Sequence, residues 1–252
     1  MWTLDTIAAV PAWRLADEPR GVRLAFSTRR GGVSDPPYNT LNLGRSTPDR
    51  PEAITENRRR LVVSLGLDPE RLSTAGQIHG RAVTRVETGG LAPNCDALVT
   101  IARDLVLAVS SADCLPILFA APGAVAAAHA GWRGTVAGVA EATLAALCDA
   151  AGSTPDRVRA HLGPCIRDCC YVVGPEVARQ FPREALREVD GELRLSLPVA
   201  VRLRLIEAGL TLAGLEDTGA CTACEPYWYF SHRRDRGVTG RQWGLAALVG
   251  SA

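Results

Sequence analysis

Short apolar runs punctuated by glycine, proline and aspartate, two places where a strand passes through a glycine-flanked turn into a helix, and a hydrophobic fraction of 47% predict a layered protein of mixed α and β structure. The 252 residues suit one large domain with an ample core, and no internal repeat, linker or low-complexity tract divides them. Residues 1–252 are therefore read as a single domain.

The elements follow in order. Residues 21–26 form a predicted strand that runs into Ser27-Thr28-Arg29-Arg30-Gly31-Gly32-Val33-Ser34, where two glycines after two arginines make a flexible, cationic loop. Residues 34–52 are rich in Pro, Asn and Asp and read as irregular, whereas residues 53–65 have helical spacing. Runs at 82–86, 97–101, 105–109, 117–120 and 125–128 have the lengths and flanking breakers of strands. After His129 the period switches to 3.6, and Val136, Val139, Ala140, Thr143, Leu144 and Leu147 make one apolar helical stripe. A second unit has a strand at 158–162, a turn at Gly163-Pro164-Cys165-Ile166 and a short helix at 175–181 opened by proline. Residues 182–196 show no clear period. Residues 197–207 predict a helix ended by Gly209, and the tail from 221 to 240 is irregular, aromatic and basic.

Charge excludes some functions. With 28 basic against 27 acidic side chains, no net field draws in nucleic acid or an anionic membrane. The opening residues Met1-Trp2-Thr3-Leu4-Asp5 lack the basic and apolar regions of a signal peptide, and no uncharged apolar stretch is long enough for a bilayer. The expectation is a cytoplasmic, soluble protein, with nothing in the pattern to fix an oligomeric state. In that setting the eight cysteines read as metal ligands, small buried side chains or reactive thiols rather than disulfides.

Three residues stand at the ends of apolar runs beside small or glycine residues: His79 in Gln77-Ile78-His79-Gly80, Cys114 in Ala112-Asp113-Cys114-Leu115, and His129 in His129-Ala130-Gly131-Trp132-Arg133-Gly134. Imidazole and thiolate are ligands that Zn²⁺ prefers, and three protein ligands leave a fourth position for water or substrate. The spacing alone leaves two readings open, a metal site assembled by folding or a buried cysteine and two hydrogen-bonded histidines. Arg133, between a strand end and a helix start, would add a planar donor fork for phosphate or carboxylate. Cys221-Thr222-Ala223-Cys224, with Cys165, Cys169 and Cys170, reads either as a structural zinc site or as small buried residues. His161 is expected to be a satisfied core residue. Tyr229-Phe230-Ser231-His232-Arg233-Arg234-Asp235 is either a solvated turn or a second cationic wall, through Arg233 and Arg234, for a phosphate-bearing or ribosyl substrate.

Taken together, Ser27 through Ser34, Glu56-Asn57-Arg58, Gln77 through Gly80, Asp96-Ala97-Leu98-Val99-Thr100, Ala112 through Pro116, His129 through Gly134, Gly163 through Ile166 and Phe230 through Arg241 resemble, in order and over nearly the whole chain, the family once called multicopper polyphenol oxidoreductases or laccase-like YfiH proteins. That family is better described as purine nucleoside phosphorylases, and some members are described as peptidoglycan editing factors. The resemblance implies an α+β fold, a four-layer α/β/β/α sandwich with mixed sheets. It implies zinc held by His79, Cys114 and His129, and phosphorolysis of adenosine, inosine and methylthioadenosine with adenosine deamination beside it. Purine nucleoside and phosphate are then the partners. Arg133, with Arg29, Arg233 and Arg234, would hold the phosphate, and Asp113 beside the cysteine ligand would shuttle protons. The paired cysteines at 221 and 224 and the tandem at 169 and 170 depart from the family pattern.

A multicopper oxidase fails a count, because its copper set needs more imidazoles than the four histidines present, and one methionine serves every axial role. A single Cu²⁺ in the same site, with weak polyphenol oxidase activity, remains open. So do a hydrolase editing a peptidoglycan precursor with Cys114 as nucleophile and a non-catalytic purine-binding module.

Overall fold

Strands that are apolar on both faces need cover on both sides, and that requirement organises the chain. In a computed structural model describing residues 1–5 and 9–250, the strands are β1 (Trp2–Asp5), β2 (Ala12–Leu15), β3 (Val22–Ser27), β4 (Leu72–Ala75), β5 (Val83–Arg85), β6 (Gly90–Ala92), β7 (Ala97–Thr100), β8 (Val106–Ser111), β9 (Leu115–Ala121), β10 (Ala124–Ala130), β11 (Arg159–Leu162), β12 (Leu186–Val189), β13 (Glu192–Leu195), β14 (Leu215–Asp217) and β15 (Gln242–Leu248). The helices are α1 (Pro51–Ser64), α2 (Trp132–Ala137), α3 (Val139–Ala151), α4 (Pro175–Ala178) and α5 (Leu197–Glu207). Among the described residues one sheet has the order β1-β2-β3-β15-β8-β4-β6, a second has the order β14-β11-β9-β10-β7-β5, and β12-β13 is a separate hairpin. Both large sheets are mixed: β4 lies parallel to β6 and β8, while β15 is antiparallel to β3 and β8.

Three cores stack between four layers. Phe26, Leu107, Val109 and Ala246 of the first sheet pack against Leu98, Leu118, Val125 and Ala127 of the second. The alternate residues Ala25, Val106, Ala108 and Leu245 turn outward onto Leu61, Val62 and Leu65 along α1. On the other side Val99, Ile117, Phe119 and Ala126 meet Leu144 and Leu147 of α3 and Val201 of α5. The period-two alternation of the strands thus feeds two different cores, and the result is the α/β/β/α sandwich that the family resemblance implied. No helix among the described residues is long and apolar enough to cross a membrane.

Several expectations need correction. The helical stripe after His129 is broken at Gly138, whose φ of 90° ends α2 and starts α3. The helix expected at 175–181 is shorter, Pro175–Ala178. Residues 182–196, without a clear period in the sequence, contain the β12–β13 hairpin, closed by Asp190 and Gly191 at φ 53° and 78°. Positive φ at both turn residues is what an Asp-Gly hairpin turn requires. The unanticipated β15 runs through the middle of the first sheet with all seven residues buried.

His161 is buried but not satisfied. Neither ring nitrogen has a hydrogen-bond partner among the described residues, and the ring meets Trp2 edge-on at 5.5 Å. Burial lowers its pKa to about 4, against a weaker upward pull from Glu216. Because the folded value lies below the ordinary 6.5, the unfolded chain takes up the proton first, so stability is intact above about 6.5 and drains as pH falls toward 4. Denaturant titrations should show the wild type losing about 2–3 kcal/mol more than His161→Leu between pH 7 and 4. Parallel pH dependences in the two proteins would refute this assignment.

Candidate metal centre and cavity

Two crossings between the sheets create the site. The chain leaves the first sheet after β8, turns through Ala112-Asp113-Cys114, and enters the second at β9; it makes the same passage between β4 and β5 through Gln77-Ile78-His79-Gly80. His129 lies near the end of β10, paired with Pro116 of β9, and strand parity puts it with Val125 and Ala127 on the face toward the first sheet. Both crossings are tight. Gln77, His79 and Asp113 have φ of 58°, 60° and 91°, conformations that non-glycine residues hold only when their surroundings fix them.

Asp96, fully buried just before β7, is one such fixture. Its carboxylate accepts the backbone N–H groups of Ile78, His79 and Gly80 at 3.2, 2.9 and 2.7 Å, and meets Nδ1 of His129 at 3.0 Å. Burial opposes its ionisation, but the His129 and backbone hydrogen bonds outweigh that and hold its pKa low. With Nδ1 of His129 engaged, Nε2 is left to face the cavity. Gln77 braces the other end of the same loop, exchanging hydrogen bonds with the backbone of Ser110 at 2.7 and 2.8 Å.

The donor atoms of His79, Cys114 and His129 lie within 4.8 Å of one another. Ligands of a tetrahedral zinc with bonds of 2.0–2.3 Å stand about 3.5 Å apart, so the nitrogen–sulfur–nitrogen set fits such an ion after small side-chain adjustments. The two imidazoles meet edge to face at 4.9 Å. Burial raises the Cys114 pKa, yet the His129 charge and hydrogen bonds from both histidines bring it down to about 6. Burial lowers that of His129, and the Cys114 thiolate with Asp96 lifts it to about 9. The thiolate, the form that ligates metal, is therefore already favoured. Gly131 is the space the set needs, since a Cβ there would come within 3.0 Å of Cys114 Sγ and 3.2 Å of His79 Cδ2.

These residues open into a cavity of about 680 Å³, within the range of small-molecule sites. Arg45, Arg58, Arg133, Arg233 and Arg241 line it, and among its described lining residues Asp113 is the one carboxylate. Arg133 stacks on Trp132 at 4.2 Å and Arg233 on Tyr171 at 5.1 Å, so two aromatic faces fix two guanidiniums. Arg58 lies over Trp243 at 4.8 Å, and burial, reinforced by Arg45, depresses its pKa to about 10. Asp113 accepts from Thr222 Oγ1 and from the backbone N–H of Arg233, each at 2.6 Å.

Not every expected residue arrives. Arg29 and Arg234 do not line the cavity: Arg29 donates to Asn39 and to the carbonyl of Pro226, and Arg234 to Asp235 and to the carbonyls of Thr222 and Tyr229. Their guanidiniums brace the loop that carries Arg233. Asp96, Arg58 and Arg241 were not assigned roles from the sequence. Arg58 did carry a signal, because it shares the stripe of Ile54 and Leu61 on α1, continued by the capping Leu65, where an arginine is out of place. None of the eight cysteines forms a disulfide; Cys95, Cys148 and Cys165 are buried, while Cys169, Cys170, Cys221 and Cys224 gather beyond the cavity wall.

Residues 23–249 match the model of a family described as multi-copper polyphenol oxidoreductase laccase. The chain is 41% identical over 243 residues to a Streptomyces griseus protein named purine nucleoside phosphorylase ORF3, covering 93% of this chain and 98% of that one. It is 38% identical over 252 residues to purine nucleoside phosphorylase YfiH of Escherichia coli, covering 95% and 98%. Among solved structures, YlmD from Geobacillus stearothermophilus superposes with a TM-score of 0.92 at 32% identity, covering 99% of both chains.

Asp96→Asn should weaken zinc binding about 10- to 100-fold, as loss of a ligand-orienting carboxylate does, measured by competition with a chromophoric chelator. Gly131→Ala should weaken it while leaving the fold's circular dichroism unchanged. Wild-type affinity in both variants would contradict the ligand assignment.

Proposed function

Because the chain belongs to the multi-copper polyphenol oxidoreductase laccase family, whose curated relatives at 35–41% identity are named purine nucleoside phosphorylases, we propose that it is a zinc-dependent purine nucleoside phosphorylase acting on adenosine, inosine and methylthioadenosine, with adenosine deamination as a side activity. The carrying observation is that one cavity holds both a three-donor metal set and five arginines. His79, Cys114 and His129 would hold the zinc, which would supply Lewis acidity to the substrate. A single Cu²⁺ fits the same donors, with weak polyphenol oxidase activity as its consequence.

In phosphorolysis a phosphate oxygen forms a bond to the ribose anomeric carbon while the bond to the purine nitrogen breaks. The electron pair leaves with the base, which ends protonated. Arg133 and Arg233 would bind the phosphate, and Arg58 and Arg241, which line the same cavity, would extend the positive wall. Arg133 and Arg233 stand at the exposed side of the cavity and Arg58 and Arg241 are half-buried, so the inner pair acts in a less screened setting than the outer. In deamination a water oxygen replaces the amino group of adenosine and ammonia leaves. Asp113 is the proposed proton carrier. Its two oxygens already hold Thr222 and Arg233, so it also positions the arginine.

A specific observation favours a second reading. Asp96, His129 and Cys114 line up as an orienting carboxylate, a base and a nucleophile, the order a cysteine hydrolase of a cell-wall precursor would use. His79 has no task in that triad, whereas it completes the zinc set.

Adenosine and inosine should release free base only when phosphate is present, followed by chromatography; base release independent of phosphate, or none at all, would defeat the proposal. Arg133→Ala should raise the KM for phosphate at least about tenfold, the effect of losing a charged hydrogen bond. Asp113→Asn should lower deamination about 100-fold and phosphorolysis far less; equal losses would reduce Asp113 to a positioning residue. Cys114→His replaces one zinc ligand by another and should retain measurable phosphorolysis, which a covalent cysteine mechanism would forbid.

A further inference from the structure

Four sulfurs meet behind the cavity wall, well apart in sequence from the His79–Cys114–His129 set. Cys169 and Cys170 sit in a turn after β11, and Cys221 and Cys224 in a turn after β14. All four Sγ atoms lie within 4.8 Å of one another; Cys169 is 3.5 Å from both Cys221 and Cys224, and Cys170 is 3.2 Å from Cys224. We propose that Cys169, Cys170, Cys221 and Cys224 form a second, purely structural zinc site that staples the wall of the cavity.

The spacing selects the occupant. Four thiolates around one zinc, with bonds near 2.3 Å, stand about 3.8 Å apart, close to the separations seen. A disulfide would draw one pair to about 2.05 Å and leave two thiols over, and all four are free. The cluster types of iron and sulfide spread their thiolates over several irons, which needs a wider cage. A tetrahedral all-sulfur set suits zinc, which prefers thiolate and needs no redox partner, and with no position left open its role is structural.

The backbone is arranged for the same purpose. Cys169 and Cys221 are 52 residues apart, yet their turns are zipped by a bridge between Cys165 and Cys221, with Thr222 N–H donating to the Cys165 carbonyl at 3.0 Å and Arg167 Nε to the Ala220 carbonyl at 3.1 Å. Backbone N–H groups of Arg167, Ala223 and Cys224 point at the Cys221 sulfur. Amide donors onto ligating sulfur orient it and offset its charge. Cys169 and Cys224 are exposed, so an ion can reach the site from solvent.

The staple has consequences for the cavity. Tyr171, which carries the Arg233 guanidinium on its ring, directly follows Cys170; Thr222, which donates to Asp113, lies between Cys221 and Cys224; and Arg233 Nη1 donates to the Val172 carbonyl at 2.8 Å. Releasing the ion would loosen Tyr171, Asp113 and Arg233 together. This site does not depend on the proposed phosphorylase activity.

The test is zinc content by plasma mass spectrometry of the full-length protein purified under reducing conditions without chelator, with X-ray absorption at the zinc edge. Wild type should carry two zinc per chain, and Cys114→Ala and Cys224→Ser one each. The zinc in Cys114→Ala should show a sulfur-only shell near 2.3 Å, a measurement that stands even if Cys224→Ser fails to fold. Titrating Cys114→Ala with an organomercurial should release the ion as four thiols react. Equal zinc in wild type and a folded Cys224→Ser, nitrogen or oxygen ligands around the zinc of Cys114→Ala, iron in place of zinc, or a disulfide among the four cysteines would overturn the proposal. One zinc in wild type, lost in Cys224→Ser and kept in Cys114→Ala, would uphold this site while removing the His79–Cys114–His129 reading.

Discussion

The buried carboxylate of Asp96 is the constraint on which the rest of the site depends. One side chain receives three consecutive backbone N–H groups of the His79 loop and Nδ1 of His129, so a loop and the end of β10 are held together by a single anion. A fully buried carboxylate would be costly without partners, and here each partner is part of the site it organises. The same contact fixes the orientation of the His129 ring and leaves its second nitrogen for the cavity. Left-handed backbone at Gln77 and His79 is tolerated because Asp96 and the Gln77–Ser110 hydrogen bonds over-determine that turn.

Layering explains why the site lies where it does. Both loops that bring His79 and Cys114 are passages from one sheet to the other, and β10 delivers His129 beside them. The inter-sheet core thus ends in a polar corner carrying His79, Cys114 and His129 rather than in a simple apolar edge. Arginines reach this corner from α1, from the turn before β15 and from the start of α2, giving a cationic cavity in a chain whose overall charge is almost balanced. The family description speaks of several coppers, but four histidines, one of them His161 in the core away from the cavity, cannot furnish that set. The cavity itself offers one three-donor set, His79, Cys114 and His129.

Much of this was legible in the sequence, for identifiable reasons. The helix at 197–207 appears as expected because serine caps it, proline opens it and glycine follows it. The paired runs that became β9 and β10 were marked by unbroken apolarity. The central strand β15 escaped notice because it follows an irregular, basic tail and, buried on both faces, shows no alternation. The hairpin at 186–195 has its signal in the turn pair Asp190-Gly191 alone, because its two strands carry no clear hydrophobic period. His79, Cys114 and His129 stood out by residue type and through the family resemblance. Asp96 did not, since a lone aspartate before a strand looks like an ordinary turn residue, and its role appears only when loops distant in sequence close around it. Arg29 and Arg234 misled for the converse reason: guanidiniums serve as readily to hold backbone carbonyls as to bind phosphate.

The most direct measurement is anomalous diffraction at the zinc edge from crystals of the protein grown with zinc. A peak about 2.0–2.3 Å from Nε2 of His129, Sγ of Cys114 and a ring nitrogen of His79 is the expected result. Full zinc elsewhere in the same crystals, with no peak among those three side chains, would contradict the assignment of the centre.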